Sequence, residues 1–353
     1  MTGRLRLKDG SIFEGESFGG NVGVSGEVVF ATGMVGYPES LTDPSYLGQI
    51  LVLTYPLIGN YGVPDKKYWE SPKLQIAGLV VSDYINTPSH HKAKKTLSAW
   101  LRAEKVPGLI IKDTRLLTKK IRERGVMLGA IELGKTLSFY DPNRENLVAK
   151  VSTKRVSATG RGGKTVLLVD CGAKGNIVKS LIERNVRVVT VPWNYKLLAN
   201  GLKFDAVIIS NGPGDPKIAR ETIELVKQAM ARKIPILGVC LGNQILALAA
   251  GGDTYKLKFG HRGQNQPCRL QGSDRCYLTT QNHGFAVSKI PRDFKEWFVN
   301  ANDNTNEGII HKKLPFMSVQ FHPEASPGPL DTGWIFDYFL ERVQAKKVNG
   351  KKY

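Results

Sequence analysis

The sequence lacks any hydrophobic run long enough to span a membrane, and it is poor in cysteine. Its 353 residues include four cysteines, which are Cys171, Cys240, Cys268 and Cys276. None of them forms a Cys-x-x-Cys pair, so their spacing excludes a disulfide scaffold and favours a reducing compartment, the cytoplasm. The opening residues, Met-Thr-Gly-Arg-Leu-Arg, contain no signal-peptide core. We therefore expect no membrane partner.

Acidic residues are scarce relative to basic ones. Lysine and arginine total 50 against 31 aspartate and glutamate residues, which gives a formal net charge of +19. Such a charge is typical of nucleic-acid-binding proteins. The basic residues are scattered, however, in small groups near 92–95, 119–120 and 346–347, and no aromatic residues are interleaved with them. We predict a solvated lysine surface, partly facing an acidic partner, and no nucleic-acid partner.

Two glycine-bearing segments resemble nucleotide-binding motifs but lack the required spacing. For Gly163-Lys164-Thr165 to end a P-loop, a glycine would have to stand at Ala158, and the segment precedes a strand instead of following one. Gly172-Ala173-Lys174-Gly175 lacks the Gly-x-Gly-x-x-Gly spacing of dinucleotide-binding proteins. We predict that this chain itself binds neither a cofactor nor a metal.

The chain length suits two domains. Residues 1–150 show mainly short strand patterns, beginning with a hairpin around Asp9-Gly10, and the polar, glycine-bearing residues 151–164 are predicted to be a linker. Over 165–350, strand patterns alternate with helical ones, as in a parallel sheet covered by helices on both faces. We predict an α/β protein: a strand-rich α+β domain followed by a domain with a mainly parallel sheet flanked by helices.

The segment Gly238-Val239-Cys240-Leu241-Gly242 follows a short apolar strand and precedes an apolar helical pattern. A Gly-x-nucleophile-x-Gly turn between strand and helix exposes its central side chain above the sheet. The nearby helix N-terminus favours thiolate over thiol. A single cysteine at a strand end is more often an inert small hydrophobe, so the turn alone leaves both interpretations open.

A second segment, Phe321-His322-Pro323-Glu324, follows another apolar strand pattern. A cysteine nucleophile needs a base, and the base needs an acceptor that orients it; His322 and Glu324 supply these groups. A third segment, Asn211–Pro216, follows the strand Ala206–Ser210 and carries glycines that let backbone N–H groups approach a ligand. Alone, this loop is also typical of an ordinary strand-to-helix connection.

Together these segments resemble the class I glutamine amidotransferases, whose catalytic residues are Cys, His and Glu in that order along the chain. Further segments resemble the small, glutaminase subunit of carbamoyl-phosphate synthetases. They are Gly26–Phe30, Thr32–Tyr37, Leu41–Tyr46, Leu53–Pro56, Gly59–Gly62, Asp113–Arg115, Gln281–Phe285 and Pro323–Pro329. The resemblance covers nearly the whole chain in collinear order.

The resemblance implies a catalytic triad of Cys240, His322 and Glu324. It implies that Cys240 attacks the carboxamide of L-glutamine to form a glutamyl thioester, with backbone N–H groups of Leu241 and the Gly212 loop holding the oxyanion. The implied substrate contacts are Ser45, Gly212, Gly214, Leu241, Gln244, Asn282, Gly284 and Phe285. The implied partner is a large ATP-grasp subunit, which would hold ATP, magnesium and bicarbonate and make carbamoyl phosphate for arginine and pyrimidine synthesis.

The sequence departs from the family pattern at Ala31, where asparagine is usual, and at Gln264 and Gln266. These departures concern packing near the site and leave the triad intact. Residues 86–95 also match poorly. The alternatives are an amidotransferase for anthranilate or GMP synthesis, a free-standing cysteine γ-glutamyl hydrolase, and a catalytically silent assembly subunit.

Overall fold

The computed structural model describes residues 2–197 and 201–348, with side chains to residue 344. The predicted end of the second domain at residue 350 lies outside the described residues. The chain divides into two compact units. Unit 1 comprises Met1–Glu145 with Lys258–Gly263, and unit 2 comprises Asn146–Leu257 with Gln264–Tyr353. No helix within the described ranges is long and apolar enough to cross a membrane.

Unit 1 is built on a closed β-barrel in the strand order β1-β2-β6-β5-β4-β3-β7. The predicted hairpin is confirmed as the antiparallel pair β1–β2. The pairs β3–β4, β4–β5 and β5–β6 are parallel. The strands are β1 (Thr2–Leu7), β2 (Ile12–Ser17), β3 (Val24–Ala31), β4 (Gln49–Leu53), β5 (Gly78–Val81), β6 (Gly108–Ile110) and β7 (Met127–Glu132). The helices are α1 (Tyr37–Leu41), α2 (Leu97–Ala103) and α3 (Thr114–Arg124).

The barrel strands are apolar on both faces because both faces are covered. In β3, Val28 packs in one hydrophobic cluster and Val29 in another, since successive side chains of a strand point in opposite directions. Helix α3 covers one face with Leu117 and Ile121, and its N-cap residue is Asp113, whose side chain accepts a 2.8 Å hydrogen bond from Leu116 N. The strand-rich first domain is therefore confirmed, and it is a barrel.

Unit 2 contains a sheet in the order β14-β13-β15-β16-β17-β12-β11-β9-β10-β8. Strands β17, β12, β11, β9 and β10 are parallel and form its centre, and antiparallel pairs begin on either side of them. The strands are β8 (Ser157–Thr159), β9 (Lys164–Asp170), β10 (Val186–Pro192), β11 (Ala206–Ile209), β12 (Ile236–Val239), β13 (Asp253–Leu270), β14 (Cys276–Lys289), β15 (Phe294–Asn300), β16 (Asn306–His311) and β17 (Phe316–Val319). The helices are α4 (Leu147–Val151), α5 (Gly175–Glu183), α6 (Arg220–Ala231), α7 (Leu241–Ala249) and α8 (Trp334–Val348).

The two faces of this sheet are covered by different helices, as the alternating pattern predicts. Leu167 packs with α6 and α7 on one face, and Leu168 packs with α5 and α8 on the other. The α/β fold class is therefore confirmed. The sheet is mixed, with a parallel centre, because its outer strands return through antiparallel pairs.

The predicted linker, residues 151–164, carries structure of its own. It contains β8, which pairs with β10 through Ser157↔Thr190 and its two neighbouring pairs. Thr153 N also donates a 2.7 Å hydrogen bond to Asp170 at the end of β9. These hydrogen bonds attach the segment to the sheet of unit 2, which begins at Asn146.

Candidate active site

Four loops meet at the carboxyl edge of the parallel strands, where ligands bind in open α/β sheets. They follow β9, β11, β12 and β17, and the last two carry Cys240 and His322. Since these strands are parallel neighbours, segments far apart in the sequence reach the same edge. The predicted grouping of the loops after β11, β12 and β17 is therefore a direct consequence of the sheet topology, which also brings the loop after β9 to this edge.

Cys240 lies between β12 and α7 with φ 55° and ψ −103°, a conformation that side chains rarely adopt. The turn is tight because a Cβ on Gly238 would lie 2.3 Å from the carbonyl oxygen of Gly242. Gly242 in turn approaches β11, and a Cβ there would lie 2.3 Å from Ile209 O. The two flanking glycines therefore permit the strand–turn–helix path that holds Cys240 at the N-terminus of α7.

His322 is held by Glu324 through a 2.6 Å contact between Nδ1 and Oε1, and both side chains are buried. Burial acts to lower the pKa of His322, but the charges of Glu324 and Cys240, together with the hydrogen bond to Glu324, raise it well above its usual value. Nε2 is buried and has no hydrogen-bond partner among the described residues. With Nδ1 engaged by Glu324, Nε2 is the nitrogen left to exchange a proton with the thiol.

Lys174, immediately before α5, adds a cation that the sequence did not predict at this site. Its Nζ lies 3.2 Å from Glu324 Oε1, and both side chains are almost fully buried. The same Nζ donates a hydrogen bond to the carbonyl oxygen of Ala325. Burial acts to raise the pKa of Glu324, but Lys174, followed by His322, lowers it strongly. Glu324 is therefore held as the carboxylate that an imidazolium requires.

Two groups surround the sulfur of Cys240 besides His322. The Sγ lies 3.7 Å from the carbonyl oxygen of Asn282 and 3.7 Å from Nε2 of Gln320. Gln320 also accepts hydrogen bonds at Oε1 from Asn243 and Gln244, both at 3.1 Å. It therefore connects the thiol to helix α7. Sequence reasoning missed Gln320, although its place two residues before His322 was an available signal.

The loop after β11 lies against the same turn. A Cβ on Gly212 would lie 2.1 Å from Cys171 O and 2.9 Å from a side-chain carbon of Leu241. Gly214 has φ +86°, which favours glycine. Leu241 is the first residue of α7, so its N–H has no partner within the helix. The structure thus brings the predicted oxyanion donors, Gly212 and Leu241, together beside Cys240.

The remaining predicted substrate contacts fall into two groups. Gln244 donates a 2.7 Å hydrogen bond to the carbonyl oxygen of Phe285, which joins α7 to β14. Asn282 and Gly284 lie in the same strand β14. Ser45 belongs to unit 1, where it is buried and its N–H donates 2.9 Å to Asp43. The role of each in binding glutamine stays a prediction.

The three departures from the family pattern are accommodated locally. Ala31 is buried in β3, and its carbonyl oxygen accepts a hydrogen bond from Thr54 N. Gln266 O accepts a 2.8 Å hydrogen bond from Thr279. A Cβ on Gly328 would lie 3.4 Å from Gln264 Cγ, so Gln264 packs against the loop that follows Glu324.

Comparison with known proteins identifies two families along the chain. Residues 5–131 match the family described as carbamoyl-phosphate synthase small chain, CPSase domain, and residues 167–342 match glutamine amidotransferase class-I. The arginine-specific small chain of carbamoyl phosphate synthase from Neurospora crassa is 47% identical over 98% of this chain and 81% of its own length. A solved glutamine amidotransferase from Thermotoga maritima shares 20% identity with a TM-score of 0.40, covering 52% of this chain and 86% of its own.

Two further relatives are much longer proteins. The multifunctional protein CAD of Squalus acanthias is 50% identical over 98% of this chain, which spans 16% of its length. The mitochondrial carbamoyl-phosphate synthase [ammonia] of Mus musculus is 46% identical over 98% of this chain, which spans 24% of its length. The chain thus spans less than a quarter of these two relatives.

Proposed function

Because the chain belongs to the family of carbamoyl-phosphate synthase small chains, we propose that it hydrolyses L-glutamine and delivers the ammonia to a synthetase partner. The observation that carries this proposal is the buried series Cys240, His322 and Glu324, with His322 and Glu324 joined at 2.6 Å. Similarity alone does not decide the activity, since one relative of 46% identity is named for ammonia. A nucleophile, a base and an orienting carboxylate in one buried group support hydrolysis over a silent assembly role.

The reaction has two halves. Cys240 gives its thiol proton to Nε2 of His322, and the sulfur attacks the carboxamide carbon of glutamine, with the oxyanion held by the N–H groups of Leu241 and the Gly212 loop. Each such donor is typically worth about 3 kcal/mol of barrier. His322 donates a proton to the departing nitrogen and the C–N bond breaks. Ammonia is released, and a glutamyl thioester remains on Cys240.

In the second half, His322 accepts a proton from a water molecule that attacks the thioester carbon. The C–S bond then breaks, the sulfur recovers a proton and glutamate leaves. Glu324 orients the imidazole and stabilises imidazolium in both halves, and Lys174 keeps Glu324 ionised. The predicted contacts Gln244, Asn282, Gly284 and Phe285 bind the substrate beside the thiol, with Gly214 in the neighbouring loop, and Ser45 is a further predicted contact.

The ammonia acceptor in this proposal is a large ATP-grasp subunit. That subunit would bind ATP, magnesium and bicarbonate and make carbamoyl phosphate, which feeds arginine and pyrimidine synthesis. Free ammonia is largely protonated near neutral pH, so direct transfer keeps it reactive. We also propose a cytoplasmic location, supported by the free state of all four cysteines.

The test measures glutamate released from L-glutamine by the purified chain, with and without the large subunit, ATP and bicarbonate, and with Cys240→Ala as the control. Glutamate release that requires Cys240 and rises during partner turnover would support the proposal. Release that is indifferent to the partner would instead support a free-standing γ-glutamyl hydrolase. The absence of release in every mixture would contradict hydrolysis and favour an assembly subunit.

A further inference from the structure

Unit 2 contains a cavity of about 410 Å³ that is lined by none of the predicted site residues. Its walls come from the N-terminal part of β13, the end of β14, β15 and the turn before β16. The polar lining residues that matter for a ligand are Tyr255, Ser288, Glu296, Thr305 and Asn306. A cavity of this volume is large enough for a small molecule or a long side chain.

Asn306 has an acceptor that the described residues do not satisfy. Its side chain is 6% exposed, and its Nδ2 donates to Glu296 Oε1 and to Gly308 O, both at 3.2 Å. These two bonds assign the amide orientation. Its Oδ1 is buried and has no hydrogen-bond partner among the described residues. Because a buried acceptor left without a donor is costly, this atom favours a ligand that donates a hydrogen bond.

Glu296, which also lines the cavity, places a negative charge beside Asn306. Within the described side chains, no lysine, arginine or histidine lies within ion-pairing distance of its carboxylate, although the chain has 50 lysines and arginines. Lys295 is exposed and adjacent in the strand, so it points to the other face. Lys289 exerts its charge on Asp253. An uncompensated carboxylate beside an unsatisfied amide oxygen favours a cationic donor.

Tyr255 gives the cavity an aromatic wall that is 43% exposed. Burial, followed by the charges of Asp303 and Glu307, raises the pKa of its hydroxyl. The surroundings are thus acidic on a chain that is strongly basic overall. A planar cation can stack on such a ring while its N–H groups reach oxygen acceptors at the ring's edge.

We propose that this cavity binds a guanidinium group, with its N–H groups donating to Asn306 Oδ1 and Glu296 and its plane against Tyr255. Guanidinium fits better than ammonium because its donors form a flat fork that matches two neighbouring acceptors. The group could be supplied by free arginine or by an arginine side chain of a partner protein. The proposal does not depend on glutamine hydrolysis.

The experiment is titration calorimetry of the full chain with L-arginine, L-citrulline and Nα-acetyl-L-arginine amide. Citrulline has nearly the same shape as arginine but lacks the charge, so it tests the ion pair directly. Glu296→Gln keeps an acceptor for Asn306 Nδ2, and Lys295→Gln is the matched control on the same strand. We expect arginine binding that is weakened at least tenfold for citrulline and for Glu296→Gln, and is unchanged in Lys295→Gln.

The blocked arginine separates the two sources of the group. Binding equal to or tighter than that of free arginine supports a partner's side chain, and binding of free arginine alone supports a small molecule. Equal binding of citrulline and arginine, arginine affinity unchanged by Glu296→Gln, or no binding of either arginine compound would overturn the proposal. Thermal unfolding of both variants verifies that they remain folded.

Discussion

The ammonium group of Lys174 lies 3.2 Å from the carboxylate of Glu324, and both side chains are almost fully removed from solvent. Burying two charges is costly, and such a pair is stable only when both partners are present. Glu324 uses the same oxygen to hold His322. The pair therefore links the stability of unit 2 to the protonation of the predicted catalytic base.

Replacing Lys174 with methionine should leave Glu324 buried without its cation. We expect a loss of about 3–5 kcal/mol in the free energy of unfolding, measured with urea. Lys227→Met is the control because Lys227 forms an exposed pair with Glu224 at 3.8 Å, and exposed pairs contribute at most about 1 kcal/mol. Equal effects of the two substitutions would contradict the importance of the buried pair.

The turn at Cys240 should not tolerate a side chain at Gly238. A Cβ there would lie 2.3 Å from Gly242 O, a backbone atom that cannot move without displacing α7. We expect Gly238→Ala to lower the thermal unfolding temperature and to abolish glutamate release. Gly163→Ala is the control, because a Cβ at that exposed position meets nothing within 4 Å. A stable, active Gly238→Ala enzyme would show that the turn is less constrained than described.

Gln320 should matter both to stability and to catalysis. Gln320→Leu leaves the amide donors of Asn243 and Gln244 without their shared acceptor and removes a donor from the Cys240 sulfur. An unsatisfied buried group costs about 1–3 kcal/mol, and we expect a loss in this range with a lower kcat, because the Gln244 amide keeps its hydrogen bond to Phe285 O. The exposed Gln271→Leu provides the comparison. Unchanged kcat in Gln320→Leu would exclude a role at the thiol.

Stability should depend on pH through Glu324 and His322 in opposite directions. The pKa of Glu324 is lower in the folded chain than in the unfolded chain, where it is about 4.3. Glu324 therefore stabilises the fold fully above about pH 4.3, and this stabilisation is lost as the pH falls below that value. The pKa of His322 is higher in the folded chain than in the unfolded chain, where it is about 6.5. His322 therefore stabilises the fold fully below about pH 6.5, and this stabilisation is lost as the pH rises above that value. Urea midpoints from about pH 3 to 9 should fall at both ends, and Glu324→Gln should flatten the acid limb. An unchanged acid limb in that variant would contradict the assignment.

The parallel centre of unit 2 could be predicted because buried parallel strands appear as continuous apolar runs. Residues 166–169 and 206–209 are such runs, and both lie in strands. The outer strands were harder to predict, since β13 extends over 18 residues with many polar side chains and only part of it is buried. The barrel closure also escaped prediction, because it depends on long-range pairing such as β1 with β7.

The residues of the candidate site likewise differ in how far the sequence predicts them. Cys240, His322 and Glu324 carry local signals, a glycine-flanked turn and a His-Pro-Glu segment. Lys174 is far from Glu324 in the sequence, and nothing in its own neighbourhood marks it as a partner of a carboxylate. Only the sheet topology, which brings the ends of β9 and β17 to one edge, reveals that contact.

The role of Cys240 as nucleophile can be tested directly with a glutamine analogue that carries a chloromethyl ketone in place of its carboxamide. Peptide mass spectrometry then identifies which cysteine the analogue has modified. We expect modification of buried Cys240, protection by L-glutamine, and no modification in His322→Asn. Cys276 is exposed and provides the internal control for ordinary thiol accessibility. Modification of Cys276 in preference to Cys240, or labelling that glutamine does not reduce, would contradict Cys240 as the nucleophile of a glutaminase.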